Sequence, residues 1–158
     1  MTRRRTQSGV TLMEMLIVIT IIAVMVGVAF PSITSGIETL RLRSASDLIV
    51  SGMNSALNRA ERWQMPVEVR IERGNNRILF ATVAPGYARE VAMPDGVTIE
   101  RIHPIIPNLD ESLPRHFLIH PGGAVPRIGI ELKNRKNTRR LVSVDPITGV
   151  AQVAEAAP

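Results

Sequence analysis

The residue in this chain whose type and place most demand a chemical reason is Glu14. It is the one charged residue in a run from Val10 to Phe30 that is apolar apart from it, Thr11 and Thr20. An acid at the centre of a bilayer-spanning helix costs about 3 kcal/mol by insertion scales, so a carboxylate there needs a partner. The other candidates for chemistry are sparse. His116 and His120 lie four apart in a segment that reads as a strand, which separates them by about 13 Å, and no third ligand accompanies them. His103 stands in a Pro-rich stretch, and Asp110-Glu111 is a single acidic pair, far short of the roughly six to eight oxygens that calcium takes. The chain has no cysteine, which excludes disulfides, thiolate metal sites and cysteine nucleophiles. No Ser/His/Asp set has a recognisable local context, and the glycines at 122 and 123 are not followed by the Gly-Lys-Ser/Thr of a phosphate loop. These residues predict a non-enzyme with no cofactor and no bound metal. One charged feature remains: Arg127, Lys133, Arg135, Lys136, Arg139 and Arg140 stand against the single Glu131. Such a basic hairpin tip could meet DNA phosphates, phospholipid or acidic partner proteins, but it carries no aromatic side chain on which bases could stack.

The elements that position these residues are legible from pattern. Of the net charge of +5, Arg3, Arg4 and Arg5 supply three, and residues 1–9 form a short basic leader. Leu12 to Phe30 is long enough to cross a hydrocarbon core, about 28 Å as a helix. Arginines before it place its start in the cytoplasm and the rest outside. Pro31 lacks an N–H and predicts a kink. Beyond it Ile33, Ile37, Leu40, Leu48, Ile49, Met53, Ala56, Leu57 and Ala60 recur at three- and four-residue steps, an amphipathic helix that Met65-Pro66 stops near residue 64. The second half then reads as short strands at 67–72, 77–83, 87–93, 97–102, 115–120, 127–132 and 140–145, separated by Gly, Pro and Asn turns. A Pro-rich loop spans 103–114. The expected fold is α+β, one long N-terminal helix with its second half packed on an antiparallel sheet. The divisions are a leader at 1–9, a transmembrane and assembly helix at 10–31, and a globular domain at 32–158. With only 3% aromatic residues, aliphatic side chains must build its core.

Three export readings fit the N-terminus. A secretory signal would be cut before Phe30, with Gly27 and Ala29 as the small residues. A plain uncleaved anchor explains the length of the apolar run but leaves Glu14 without a reason. In the third reading the cut falls between Gly9 and Val10, and the helix is kept. Gly9 to Glu14, G-V-T-L-M-E, resembles the prepilin processing motif of type IV pilins and type II secretion pseudopilins, with Val10 where phenylalanine or methionine is usual. The resemblance covers about forty residues, Pro31 included. It implies cleavage after Gly9 by a prepilin peptidase and methylation of the Val10 amine. It also implies that Glu14 pairs with the first amine of a neighbouring subunit during filament assembly. The physical basis is simple: a helix N-terminus favours an anion, while an unpaired charge buried among packed helices is heavily penalised.

A second, looser resemblance lies toward the other end. Phe117 to Val153, "FLIHPGGAV…IGIEL…RRLVSVDPITGVAQV", is similar to the GspH/FimT subfamily of minor pseudopilins. It implies a structural subunit of a type II secretion pseudopilus. Its partners would be other pilins or pseudopilins in a helical filament, the prepilin peptidase and an inner-membrane assembly platform. The chain would be anchored once in the bacterial inner membrane, N-terminus cytoplasmic and C-terminal domain periplasmic, and would enter the pseudopilus after assembly. The alternative is a FimT-like minor type IV pilin acting in pilus assembly or DNA uptake. Against it, the stretch where such proteins carry a basic Gly-Arg-x-Arg element reads "TGVAQVAEAAP" here, without a cation.

Overall fold

The computed structural model of the protein describes residues 10–82, 86–122 and 125–155. One helix, α1 (Leu12–Trp63), precedes eight strands: β1 (Val67–Glu72), β2 (Arg77–Thr82), β3 (Ala88–Ala92), β4 (Val97–His103), β5 (Arg115–Ile119), β6 (Gly129–Asn134), β7 (Arg139–Val144) and β8 (Ala151–Glu155). The fold is α+β, as the pattern of elements predicts. The strands form two four-stranded sheets, ordered β3-β2-β1-β5 and β4-β6-β7-β8, with every neighbouring pair antiparallel. The chain divides into two compact units, one ending at Ile37 and one running from Glu38.

Helix α1 starts on a cap and ends on a backbone reversal. Gln64 takes φ 52°, outside the helical region, and its side-chain amide donates to the carbonyl of Glu61 at 2.7 Å. Pro66 then prevents the helix from resuming. Pro31 lies within the helix rather than ending it.

In the second unit the buried side of α1 is Leu42, Ala45, Ser46, Ile49, Met53, Ala56 and Ala60, at three- and four-residue steps. Ile49, Met53, Ala56 and Ala60 are buried as the pattern predicts, while the rest of the expected face is corrected. Ile37, Leu40 and Leu48 are exposed, and Leu57 only packs against the edge of the core. The physical reason is close approach. Small residues on the buried side let the helix backbone settle against the sheets: a Cβ at Gly52 would lie 2.6 Å from the ring of Phe80. Against this face stand Val67, Val69 and Ile71 of β1, Ile78 and Phe80 of β2, and Ile130 and Leu132 of β6, all fully buried. Both sheets therefore feed one aliphatic core.

Side-chain hydrogen bonds tie the sheets together, one of them from Arg115 Nη1 of β5 to the carbonyl of Ile102 on β4 at 3.2 Å. Asn76, in the β1–β2 turn, donates from Nδ2 to the carbonyl of Val97 at 2.7 Å. Its Oδ1 accepts the N–H of Ile99 at 2.9 Å. Beyond that point β4 carries an irregularity, its register with β6 shifting between Ile99 and Arg101 around Glu100. A bulge of this kind re-aims a side chain, and the Glu100 carboxylate reaches Arg139 on β7, as described below.

Two strands depart from expectation. β6 runs to Asn134, two residues beyond the expected end. The Asn134 side chain closes the hairpin, its Oδ1 accepting the N–H groups of Lys136 (3.0 Å) and Thr138 (2.9 Å). β8 was not expected as a strand. Its residues, Ala-Gln-Val-Ala-Glu, have little strand propensity of their own, and it pairs along β7 after the Asp145–Val150 turn.

Candidate functional site

The N-terminal stretch is built from its first helical turn. Thr11 is the N-cap of α1. Its carbonyl accepts the N–H of Met15 at 3.2 Å, the first helical bond, and its Oγ1 accepts the N–H of Glu14, also at 3.2 Å. The spacing Thr-x-x-Glu is the signature of a capping box, so Glu14 occupies the third helical position. There the unpaired N–H groups of the first turn favour a negative charge. Glu14 stands out in the sequence by its charge, whereas the cap at Thr11 is signalled there only by the three-residue spacing between them. Glu14 is exposed, and among the described residues no cation lies within ion-pair distance of it. Val10 is exposed as well. Gly9 lies outside the described residues.

From Val10 to Phe30 every residue is exposed. A contiguous apolar surface of this size belongs in lipid or against other helices, not in water. By length and composition this part of α1 is apolar enough to cross a membrane. The hydroxyls in and beside the span are turned inward to the helix: Thr20 Oγ1 donates to the carbonyl of Leu16 at 2.7 Å, and Thr34 Oγ1 to that of Phe30 at 3.4 Å. Bonding of this kind spares a polar group the cost of meeting hydrocarbon unsatisfied.

The basic residues of the second unit are less bare than their order in sequence suggests. Arg139 meets Glu100 with two hydrogen bonds, 2.7 and 3.0 Å, and approaches Glu131 at 3.6 Å. Lys133 lies 3.5 Å from Glu100, and Arg135 lies 3.8 Å from Glu38 of α1. The Arg139 fork, with Lys133 behind it, holds the Glu100 carboxyl below its ordinary value, and Glu100 in turn raises Arg139. Of the other three, Lys136 sits in the hairpin turn, Arg127 is exposed before β6, and Arg140 pairs in register with Glu155 of β8. The structure thus brings Lys133, Arg135 and Arg139 to carboxylates that the sequence placed far away.

The histidines are spread out. His116 is hydrogen-bonded to Glu68 on β1, His103 lies 3.7 Å from Glu131, and His120 follows the end of β5. Among the described residues no three His, Asp or Glu side chains converge on a common point.

Neither a curated protein nor a solved structure matches the chain. Residues 4–30 do match the family model of the prokaryotic N-terminal methylation motif. The match runs from Arg4 through Gly9 and the capped turn to Phe30. It supports a place in the class of type IV pilins and pseudopilins, whose motif is structural, serves prepilin processing and pilin assembly, and fits inner-membrane anchoring.

Proposed function

We propose that the protein is a minor pseudopilin of a type II secretion pseudopilus, made with a basic leader that prepilin peptidase removes after Gly9. The new N-terminus, Val10, is methylated. The retained helix then leaves the inner membrane to pack among the helices of neighbouring subunits, with the second unit on the periplasmic side. One observation carries this reading: a lone carboxylate, Glu14, sits at the third position of a capped helix whose apolar residues are exposed all round as far as Phe30. Once other helices surround it, Glu14 needs a cation. The amine of Val10 on an adjoining subunit is the partner of suitable charge at matching depth, and their pairing sets the axial register. Pro31 supplies the bend that lets helices of this length pack.

Mass spectrometry of the native protein tests the processing step. The expected chain begins at a methylated Val10; a chain beginning at Phe30 would return the protein to ordinary secretion. Glu14→Ala tests assembly and is expected to abolish incorporation into sheared filaments while leaving membrane insertion intact.

The competing reading, a FimT-like minor pilin that catches DNA, draws on the basic hairpin. The clasp of Arg139 and Lys133 on Glu100 leaves fewer cations for phosphate and supports the structural subunit instead. Filter binding of the full chain to DNA at about 150 mM salt separates the two; retention with a steep salt slope would favour DNA uptake.

A further inference from the structure

The only tryptophan of the chain, Trp63, ends α1 and is 62% exposed. One turn back, the Arg59 guanidinium lies 4.3 Å from the centre of the Tyr87 ring and 5.1 Å from that of Trp63. Tyr87, the only tyrosine, shares a 3.4 Å hydrogen bond with Ser55 through its hydroxyl. Ser55, Asn58, Arg59, Arg62 and Trp63 line an open-sided hollow of about 380 Å³. Among the described residues, no carboxylate lies within ion-pair distance of Arg59 or Arg62, and Arg59 Nε is buried without a hydrogen-bond partner. The adjacent acid, Glu61, is engaged elsewhere, accepting the N–H of Gly122 at 2.9 Å.

We propose that this hollow is a docking site for an acidic segment of a partner protein, one that offers a carboxylate beside an aliphatic side chain. The proposal stands apart from the processing and assembly of the N-terminal helix. Charge and shape carry it. Two cations without a counter-charge call for an anion, and a guanidinium steadied by aromatic rings presents its N–H fork with little freedom left to lose. Trp, Tyr and Arg are the residue types that dominate binding energy at protein interfaces. Stacking on Tyr87 and Trp63 would account for Arg59 alone; it gives no reason for Arg62 or for the exposed indole. A bare oxyanion would occupy a small part of the hollow and leave that indole in water, whereas an aliphatic neighbour in a peptide covers it. Single-stranded nucleic acid fits less well. It needs free ring faces for its bases, and Arg59 already covers a face of Tyr87.

Trp63 reports directly on occupancy, since all indole emission comes from this site. The full chain in a mild non-ionic detergent is titrated at pH 7 with a capped Glu-Leu-Asp-Glu peptide. The neutral Gln-Leu-Asn-Gln peptide, inorganic phosphate and a short oligothymidylate serve as comparisons. A saturable emission change with the acidic peptide is expected, weakening as salt rises. Arg62→Gln, which breaks no contact seen here, should weaken it about threefold. Arg59→Lys, which keeps the charge and loses the fork, should weaken it further. The proposal fails if the neutral peptide binds as well, or if Arg62→Gln changes nothing. An equal response to phosphate alone would make the hollow a simple anion site, and tighter binding of the oligonucleotide would make it a nucleic-acid surface; either outcome overturns the docking of a peptide.

Discussion

At the scale of single residues, position along a helix decides what a polar side chain does. Thr11 and Glu14 belong to one turn, and the Thr11 hydroxyl accepts the Glu14 N–H that the helix itself leaves unpaired. Replacing a capping Thr by Ala costs about 1 kcal/mol. Thr11→Ala should therefore speed amide exchange at Glu14 by about fivefold in detergent, with Thr11→Ser close to the natural protein; hydrogen exchange read by NMR checks both. Glu72 shows the same dependence on surroundings in the second unit. Its carboxylate is nearly buried and accepts Asn75 Nδ2 at 2.8 Å and Arg77 Nε at 2.7 Å, bonds that lower its pKa below the ordinary 4.5. A carboxyl lowered on folding contributes stability in full above its unfolded value. That contribution is lost as pH falls through the folded value. Urea midpoints of the full chain should thus fall from pH 5 to pH 3, and Glu72→Gln should show a shallower fall over the same range. Glu14 was legible in sequence because an acid among aliphatics is conspicuous. The anion partners of Arg139 and Arg135 were not, because Glu100 and Glu38 reach them only through strand pairing and helix docking.

At the scale of elements, the helix face against the sheets is selected by closeness more than by hydropathy. Gly52 is the test. In an exposed helix, Ala in place of Gly gains about 1 kcal/mol from propensity. Here the added methyl would sit 2.6 Å from Cε2 and 2.7 Å from Cζ of Phe80, and that ring is fully buried. Overpacking a tight core costs about 1–3 kcal/mol, so the clash outweighs the propensity. Gly52→Ala should lower the unfolding midpoint. Phe80→Leu in the same chain should recover part of the loss, a non-additive coupling that a double-mutant cycle measures directly. The long helix, the hairpin at 67–82 and most strands were readable from period and turn residues. The buried side of α1 was legible in part, at Ile49, Met53, Ala56 and Ala60; Ala45, Ser46 and Gly52 were not, because they score poorly as apolar and are there for their size. The division into two sheets was equally hidden. The bonds that join them, those of Asn76 to Val97 and Ile99 among them, have no signal in local sequence.

At the scale of the molecule, burial divides the chain's work in two. Among the described residues every buried core side chain lies between Leu42 and Ala151, and none comes from the first unit, whose residues from Val10 to Phe30 are all exposed. Covering a Val, Leu or Ile side chain is worth about 1.5–3 kcal/mol. The apolar residues of Leu12 to Phe30 therefore represent tens of kcal/mol that only lipid or neighbouring helices can realise. The second unit carries less of such debt: its core of buried aliphatic side chains is closed by its own helix face and both sheets. A chain beginning at Glu38 should consequently fold in water without detergent. Its thermal midpoint should lie within a few degrees of that of the full chain in detergent, because every buried core side chain among the described residues is kept. A synthetic peptide of residues 10–37 should instead partition into lipid vesicles as a helix. Calorimetry on the first and oriented circular dichroism on the second are the measurements. If the shortened chain aggregated or melted without a cooperative transition, the core would depend on the apolar stem after all, and the two could not be treated as an anchor and an independently folded cargo.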